Sequence, residues 1–136
     1  MENGSYRPKI LVVTMARSSY LAVDALGQMH ADYPTSVYVI KTIYPGILPA
    51  YFYVDTLKKG MDGIIIASAG SDCPVEDSYK HLADVVKQAQ SEIKAAGLSV
   101  KRLKLTAICS VCTAAILKEI NQMAEFTIKL KAEGKV

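Results

Sequence analysis

Tryptophan is absent from this chain, phenylalanine occurs twice, and histidine twice. No apolar run approaches the roughly 20 residues needed to cross a bilayer, so a membrane-spanning reading is set aside. A dominant charge of one sign is missing too. Sixteen Lys and Arg stand against thirteen Asp and Glu, a net charge of +3, which is too little to argue for nucleic acid or a membrane surface as partner. The basic cluster Lys101-Arg102-Leu103-Lys104 is short and reads as a solvated approach to a strand. Residues 1–5 contain no apolar signal core, and a cytoplasmic protein is expected. Cysteine is scarce and odd in number at three, which does not suggest a disulfide framework. No Ser-His-Asp set, paired carboxylate motif, nucleotide fingerprint or low-complexity tract is present.

What is present is apolar and alternating. Hydrophobic residues make up 51% and charged residues 21% of 136 positions, the balance of a globular chain rather than a disordered one. One domain over 1–136 is expected, with loose tails at 1–7 and 132–136. Four strand-then-helix units follow one another. Strands are predicted over 10–15, 36–43, 62–69 and 99–109. The first helix is predicted from Ser18 or Ser19 to Asp32, with Leu21, Ala25 and Met29 at helical spacing, closed by Tyr33-Pro34. The second runs from Pro49 to Lys59 with Gly60 as its C-terminal cap. The third spans 76–96 with Leu82, Val85, Val86, Ala89 and Ile93 as its stripe, and Gly97 caps it. The fourth spans 113–131 with Ile116, Ile120, Met123, Ala124 and Leu130 facing inward. This alternation predicts an α/β three-layer sandwich around a four-stranded parallel sheet of order 2-1-3-4, half of a flavodoxin-like sheet.

The stretch from Gly60 to Cys73 is the most informative. An aliphatic run, Ile64-Ile65-Ile66, sits between glycines and ends in small polar residues, Asp72 and Cys73. That is a buried parallel strand with a loop at its carboxyl end, where open α/β sheets hold their functional groups. Cys109-Ser110-Val111-Cys112 follows the fourth strand and opens the last helix. If strands three and four are neighbours, Cys73, Cys109 and Cys112 share one edge within about 10 Å by interstrand spacing. The helix N-terminus there lowers a thiol pKa. Three readings stand open. The thiols are small buried apolar groups. They bind a metal or an iron–sulfur cluster, with a fourth ligand from Asp72, His81 or a partner chain. Or Cys109 and Cys112 form a redox-active dithiol.

Two other segments are candidates. The loop Thr14-Met15-Ala16-Arg17-Ser18-Ser19 offers amides, hydroxyls and a guanidinium to an anion, but lacks the glycine a close cradle needs, and Ser18 or Ser19 equally serves as a helix cap. Tyr44, Tyr51, Phe52 and Tyr53 gather around Pro45 and Pro49. Such a loop docks a partner, or half of it packs on the sheet. His30 and His81 lie on predicted helices and read as surface residues.

Residues 9–130 resemble the delta subunit family of methyl-viologen-reducing hydrogenases. The resemblance rests on 10–20 with Asp24 and Gly27, Tyr33-Pro34, Gly46 with Pro49, Lys59-Gly60-Met61-Asp62-Gly63-Ile64-Ile65-Ile66, Ser71-Asp72-Cys73, Tyr79-Lys80, and Gly97 with Arg102 and Leu103. It implies an iron–sulfur protein that passes electrons between a hydrogenase or formate dehydrogenase and a heterodisulfide-reductase-type flavoprotein, in a hetero-oligomer. The chain departs from the family where the family cluster is bound. Met15 and Ser18 stand at the Cys-x-x-Cys positions, and Tyr44 stands where a cysteine follows the second strand. A Cys-His pair is replaced near Ala69-Gly70. Thioether, hydroxyl and phenol do not replace thiolates around iron, so the family cluster is expected to be absent at its family position. Two functions follow. One is an electron-transfer subunit with a relocated centre at Cys73, Cys109 and Cys112; the other is a redox-silent assembly module. A small-ligand binder using the Arg17 loop is a third, weaker reading.

Overall fold

A computed structural model describes residues 7–16, 19–28, 36–68, 78–108 and 113–134. Four strands form one sheet: β1 (Lys9–Met15), β2 (Ser36–Thr42), β3 (Gly63–Ser68) and β4 (Leu103–Ala107). Four helices alternate with them: α1 (Ser19–Gln28), α2 (Ala50–Lys58), α3 (Ser78–Ala95) and α4 (Thr113–Ala132). Strand order is β2-β1-β3-β4, and every pairing is parallel. This is the expected 2-1-3-4 sheet.

The aliphatic runs explain the layering. All six residues of β3 are buried, as are six of the seven in β1. A strand buried on both faces needs a helical layer on each. Leu11, Val13, Ile64, Ile66 and Leu103 face one layer, where Tyr53, Val54 and Leu57 of α2 and Leu82, Val86, Ala89 and Ile93 of α3 pack. Ile10, Val12, Ile65 and Ala67 face the other, against Ala22 of α1 and Ile116, Ile120 and Met123 of α4. Each fully buried Ile contributes about 1.5–3 kcal/mol relative to exposure. The edge strand β2 has no such run: Tyr38 and Val39, on opposite faces, are both exposed.

Several boundaries differ from the sequence reading. The fourth strand does not begin at Ser99. Ser99 Oγ accepts the Lys101 amide (3.3 Å) and starts a 3₁₀ turn over Val100–Arg102, so β4 starts at Leu103. Asp62 lies outside β3. Its amide donates to the Lys9 carbonyl (2.9 Å) and its carboxylate accepts the Lys9 amide (2.8 Å), which ties the loop to β1. Pro49 caps α2 rather than entering it. Ile43 lies beyond β2 and is 82% exposed. Leu21, expected on the inner face of α1, is 48% exposed, while Ala22 beside it is buried. Helical spacing alone left the inner face ambiguous by one residue. Residues 29–32 and 76–77, at the ends of two predicted helices, lie outside the described residues.

Gly97 behaves as expected, with φ of 83°. The Leu98 amide reaches back to the Ile93 carbonyl (3.1 Å), a bond that needs the left-handed turn glycine adopts freely. Gly63 matters for a different reason: a Cβ there would lie 2.7 Å from Cγ and Sδ of Met123. Gly63→Ala should therefore destabilise the fold by about 1–3 kcal/mol through overpacking. In Met123→Ala the same change should cost far less, since the colliding atoms are gone. Urea unfolding of the two single variants and the double variant checks this; additive losses would contradict it.

Candidate functional site

The carboxyl edge of the sheet is held by hydroxyls. The Met15 amide donates to Ser19 Oγ (2.9 Å), and that hydroxyl donates to the Ala67 carbonyl (2.6 Å). Ser19 thus bridges the ends of β1 and β3 while fully buried. Thr14 Oγ1 donates to the Ile40 carbonyl (2.8 Å), and Thr42 Oγ1 donates to the Thr14 carbonyl (2.6 Å). The Ala16 amide donates to the Thr42 carbonyl (2.7 Å). Thr14 and Ser19 were candidates for anion binding. Both hydroxyls are committed to backbone instead; Arg17 and Ser18 lie outside the described residues.

Two of the positions that the resemblance pairs with family cysteines can be placed. Met15 is buried at the end of β1, opposite Thr42 of β2, and Tyr44 follows Thr42 on the same edge. Tyr44 is half-buried against the α2–α3 layer. Its ring lies over Gly46, where a Cβ would collide with it, and 6.3 Å from the His81 ring. A thioether and a phenol occupy these two positions, and neither fits an iron–sulfur cluster. His81 itself is exposed on the first turn of α3, as expected.

The residues from Ile43 to Tyr53 divide into two sets, each spaced four residues apart in sequence. Tyr44, Leu48 and Phe52 pack against the α2–α3 layer, with Tyr53 fully buried beneath them. Phe52 meets Tyr53 edge to face at 5.3 Å. Ile43, Ile47 and Tyr51 point outward, with Ile47 and Tyr51 65% and 64% exposed. Of the four aromatics, three pack inward and Tyr51 is on the surface. Phe52 belongs with the core, and Ile43 and Ile47, not singled out from sequence, join Tyr51 on the surface.

The Tyr53 hydroxyl is buried without a hydrogen-bond partner among the described residues. Burial, and secondarily Tyr44, pushes its pKa above the usual tyrosine range. Nothing in the sequence marks this group, because a tyrosine at an inward helical position looks like any large apolar residue.

The three thiols, Cys73, Cys109 and Cys112, lie outside the described residues, as do Asp72 and Ala69-Gly70. What is described is the pair of strands that lead to them. β3 and β4 are adjacent and parallel, they end in register at Ser68 and Ala107, and the Ile108 amide donates to the Ser68 carbonyl (2.8 Å). Among the described residues no cluster of His, Cys, Asp and Glu is arranged to hold a metal. No helix among them is long and apolar enough to cross a membrane.

The two buried hydroxyls should respond oppositely to deletion. Ser19→Ala leaves the Met15 amide unpaired and should cost about 1–3 kcal/mol. Tyr53→Phe removes an unpaired group and should leave stability unchanged or raise it by about 1 kcal/mol. Thermal or urea unfolding reads both. A loss in Tyr53→Phe comparable to that in Ser19→Ala would show that the phenol has a partner.

Comparison with known proteins places the chain in a family. Residues 10–131, from β1 to the last turn of α4, match the family described as methyl-viologen-reducing hydrogenase, delta subunit. The iron–sulfur D subunit of the F420-non-reducing hydrogenase of Archaeoglobus profundus is 27% identical over 131 residues, covering 95% of this chain and 93% of its own length. The A subunit of the ferredoxin:CoB-CoM heterodisulfide reductase of Methanosarcina mazei is 29% identical over 85% of this chain. Its counterpart in the ferredoxin/F420H2-dependent CoB-CoM heterodisulfide reductase of Methanosarcina acetivorans is 32% identical over 63% of it. The chain spans only 16% and 11% of the lengths of those two reductase proteins. With the family match running through all four strands and all four helices, the chain belongs to the methyl-viologen-reducing hydrogenase delta subunit family.

Proposed function

We propose that this chain is a subunit of an electron-transfer complex of the hydrogenase or heterodisulfide-reductase kind. We further propose that Cys73, Cys109 and Cys112 supply thiolates to its own redox or metal centre. The observation that carries the second part is the register of β3 and β4, whose ends at Ser68 and Ala107 lie side by side. The segments that bear the three cysteines leave the sheet from there. Three thiolates suit iron or zinc, and a tetrahedral set lacks one ligand. Asp72, His81 or a residue of another subunit would complete it. An iron–sulfur cluster held there would accept and release single electrons. The chain's own contribution would be to fix the thiolates on a rigid sheet edge and favour their ionised form at the start of α4.

A second reading keeps the fold and the assembly but has no centre. Met15 and Tyr44 favour it, because the family's cysteine positions they occupy are filled by non-ligating groups packed into the protein.

Both readings need a docking surface, and the outward stripe Ile43, Ile47 and Tyr51 supports one. Large exposed apolar side chains on a well-anchored segment mark protein contacts, and tyrosine is enriched at their centres. The relatives support partners of the same kind, since one is named as part of a hydrogenase, the other two as parts of heterodisulfide reductases. Ile47→Ser with Tyr51→Ser should weaken association with the partner subunits by about 2 kcal/mol or more, roughly thirty-fold in Kd. Because both side chains face solvent, the melting temperature should hold. Co-elution of the double variant with partners at wild-type yield would count against this surface.

A further inference from the structure

β4 is an edge strand, and its outer side is not closed by any described residue. Side-to-side alternation along a strand decides which backbone groups face outward. The Ile108 amide donates inward to Ser68, so Lys104 and Thr106 also turn their backbone groups toward β3. Leu103, Leu105 and Ala107 turn theirs away. The Leu103 amide is used by the 3₁₀ turn, where it donates to Val100, and the Leu103 carbonyl takes a long contact from Gln90 Nε2 (3.5 Å). The N–H and C=O groups of Leu105 and Ala107 have no partner among the described residues, two donors and two acceptors in strand spacing.

At the start of β4, beside Leu103 and Lys104, a cleft of about 350 Å³ opens between α3 and α4. Gln90 of α3 forms one wall, and Met123 and Phe126 of α4 form an apolar one. The two helices lie on opposite faces of the sheet, so the cleft between them is a slot that opens at the start of β4. The rim of the slot is basic. Lys101 is exposed, with no acidic partner among the described residues, and Lys104 shares its charge with Glu119 (2.6 Å).

We propose that the β4 edge receives an extended acidic segment of a partner protein as a fifth strand of this sheet. Main-chain donors and acceptors at alternate residues are matched by another strand and by little else. The apolar wall takes alternate side chains of that strand, and an acidic residue on it meets Lys101. A second copy of this chain is a poor occupant, because its own α3 and α4 would meet the pair that already flanks the slot. This surface is separate from the Ile43–Tyr51 stripe, which lies at the opposite edge strand, but it rests on the same reading of the chain as part of a larger complex.

Amide-resolved hydrogen exchange tests the proposal, comparing the isolated chain with the assembly purified through a tag on it. The Leu105 and Ala107 amides should exchange freely in the isolated chain and slow by about tenfold or more in the assembly, the scale of one net hydrogen bond. Ala107→Pro removes an outward donor and spares the β3 ladder, as proline on an edge strand can. It should weaken assembly, as should Lys101→Glu, with the melting temperature of each kept. Partners that co-purify while both amides stay open would overturn the fifth strand and leave the membership in a complex intact. A chain that purifies alone would overturn both. Protection already present in the dilute isolated chain would assign the slot to a segment of this chain, and protection that grows with its concentration would assign it to a second copy. Either result overturns the proposal. If Ala107→Pro fails to fold, exchange in the unaltered protein decides.

Discussion

Burial of β1 and β3 on both faces is the constraint from which the rest follows. Neither strand has a solvent side, so neither can alternate apolar with polar residues, and each needs helices above and below. Parallel strands also need long crossovers, which the helices provide. Once α2 and α3 close one face and α1 and α4 the other, loops at the ends of the sheet are where chemistry or recognition can sit. The two edge strands are the remaining open surface. The proposed functions of this protein fall in those two places.

At the carboxyl edge, hydroxyls tie the strand ends together. Ser19 ties β1 to β3, and Thr42 with Thr14 ties β2 to β1. Met15 is buried in the core at the end of β1, so that end is here a piece of packed core. The proposed redox role uses the ends of β3 and β4, which all three cysteines follow in sequence. An assembly role does not need them, since the exposed stripe after β2 and the open side of β4 are independent of any metal.

The architecture was legible in the residues because its strongest signal, the run Ile64-Ile65-Ile66 between glycines, is the buried centre of the sheet. Turn chemistry was legible for the same local reason: Gly60 and Gly97 both adopt positive φ where helices end. Boundaries set by single side chains were not. Ser99 redirects the chain into a 3₁₀ turn before β4, and no periodicity announces one hydroxyl–amide bond. The loop from Tyr44 to Tyr53 was visible as aromatic, but its division into an anchored and an exposed stripe depends on which way Pro49 launches α2. That β4 is an edge followed from the expected 2-1-3-4 order, but the cleft beside it did not, because its lining joins residues of α3, β4 and α4 that no local pattern connects.

A redox or metal centre at the relocated thiols is the proposal on which an electron-transfer role rests. Iron and acid-labile sulfide, assayed on the anaerobically purified assembly, test it most directly, with Cys112→Ser as the control. The expected result is iron and sulfide bound in fixed ratio to this chain and lost in Cys112→Ser. Protein free of metal, with Cys73, Cys109 and Cys112 all titrating as thiols, would contradict it and leave the chain as an assembly module of its family.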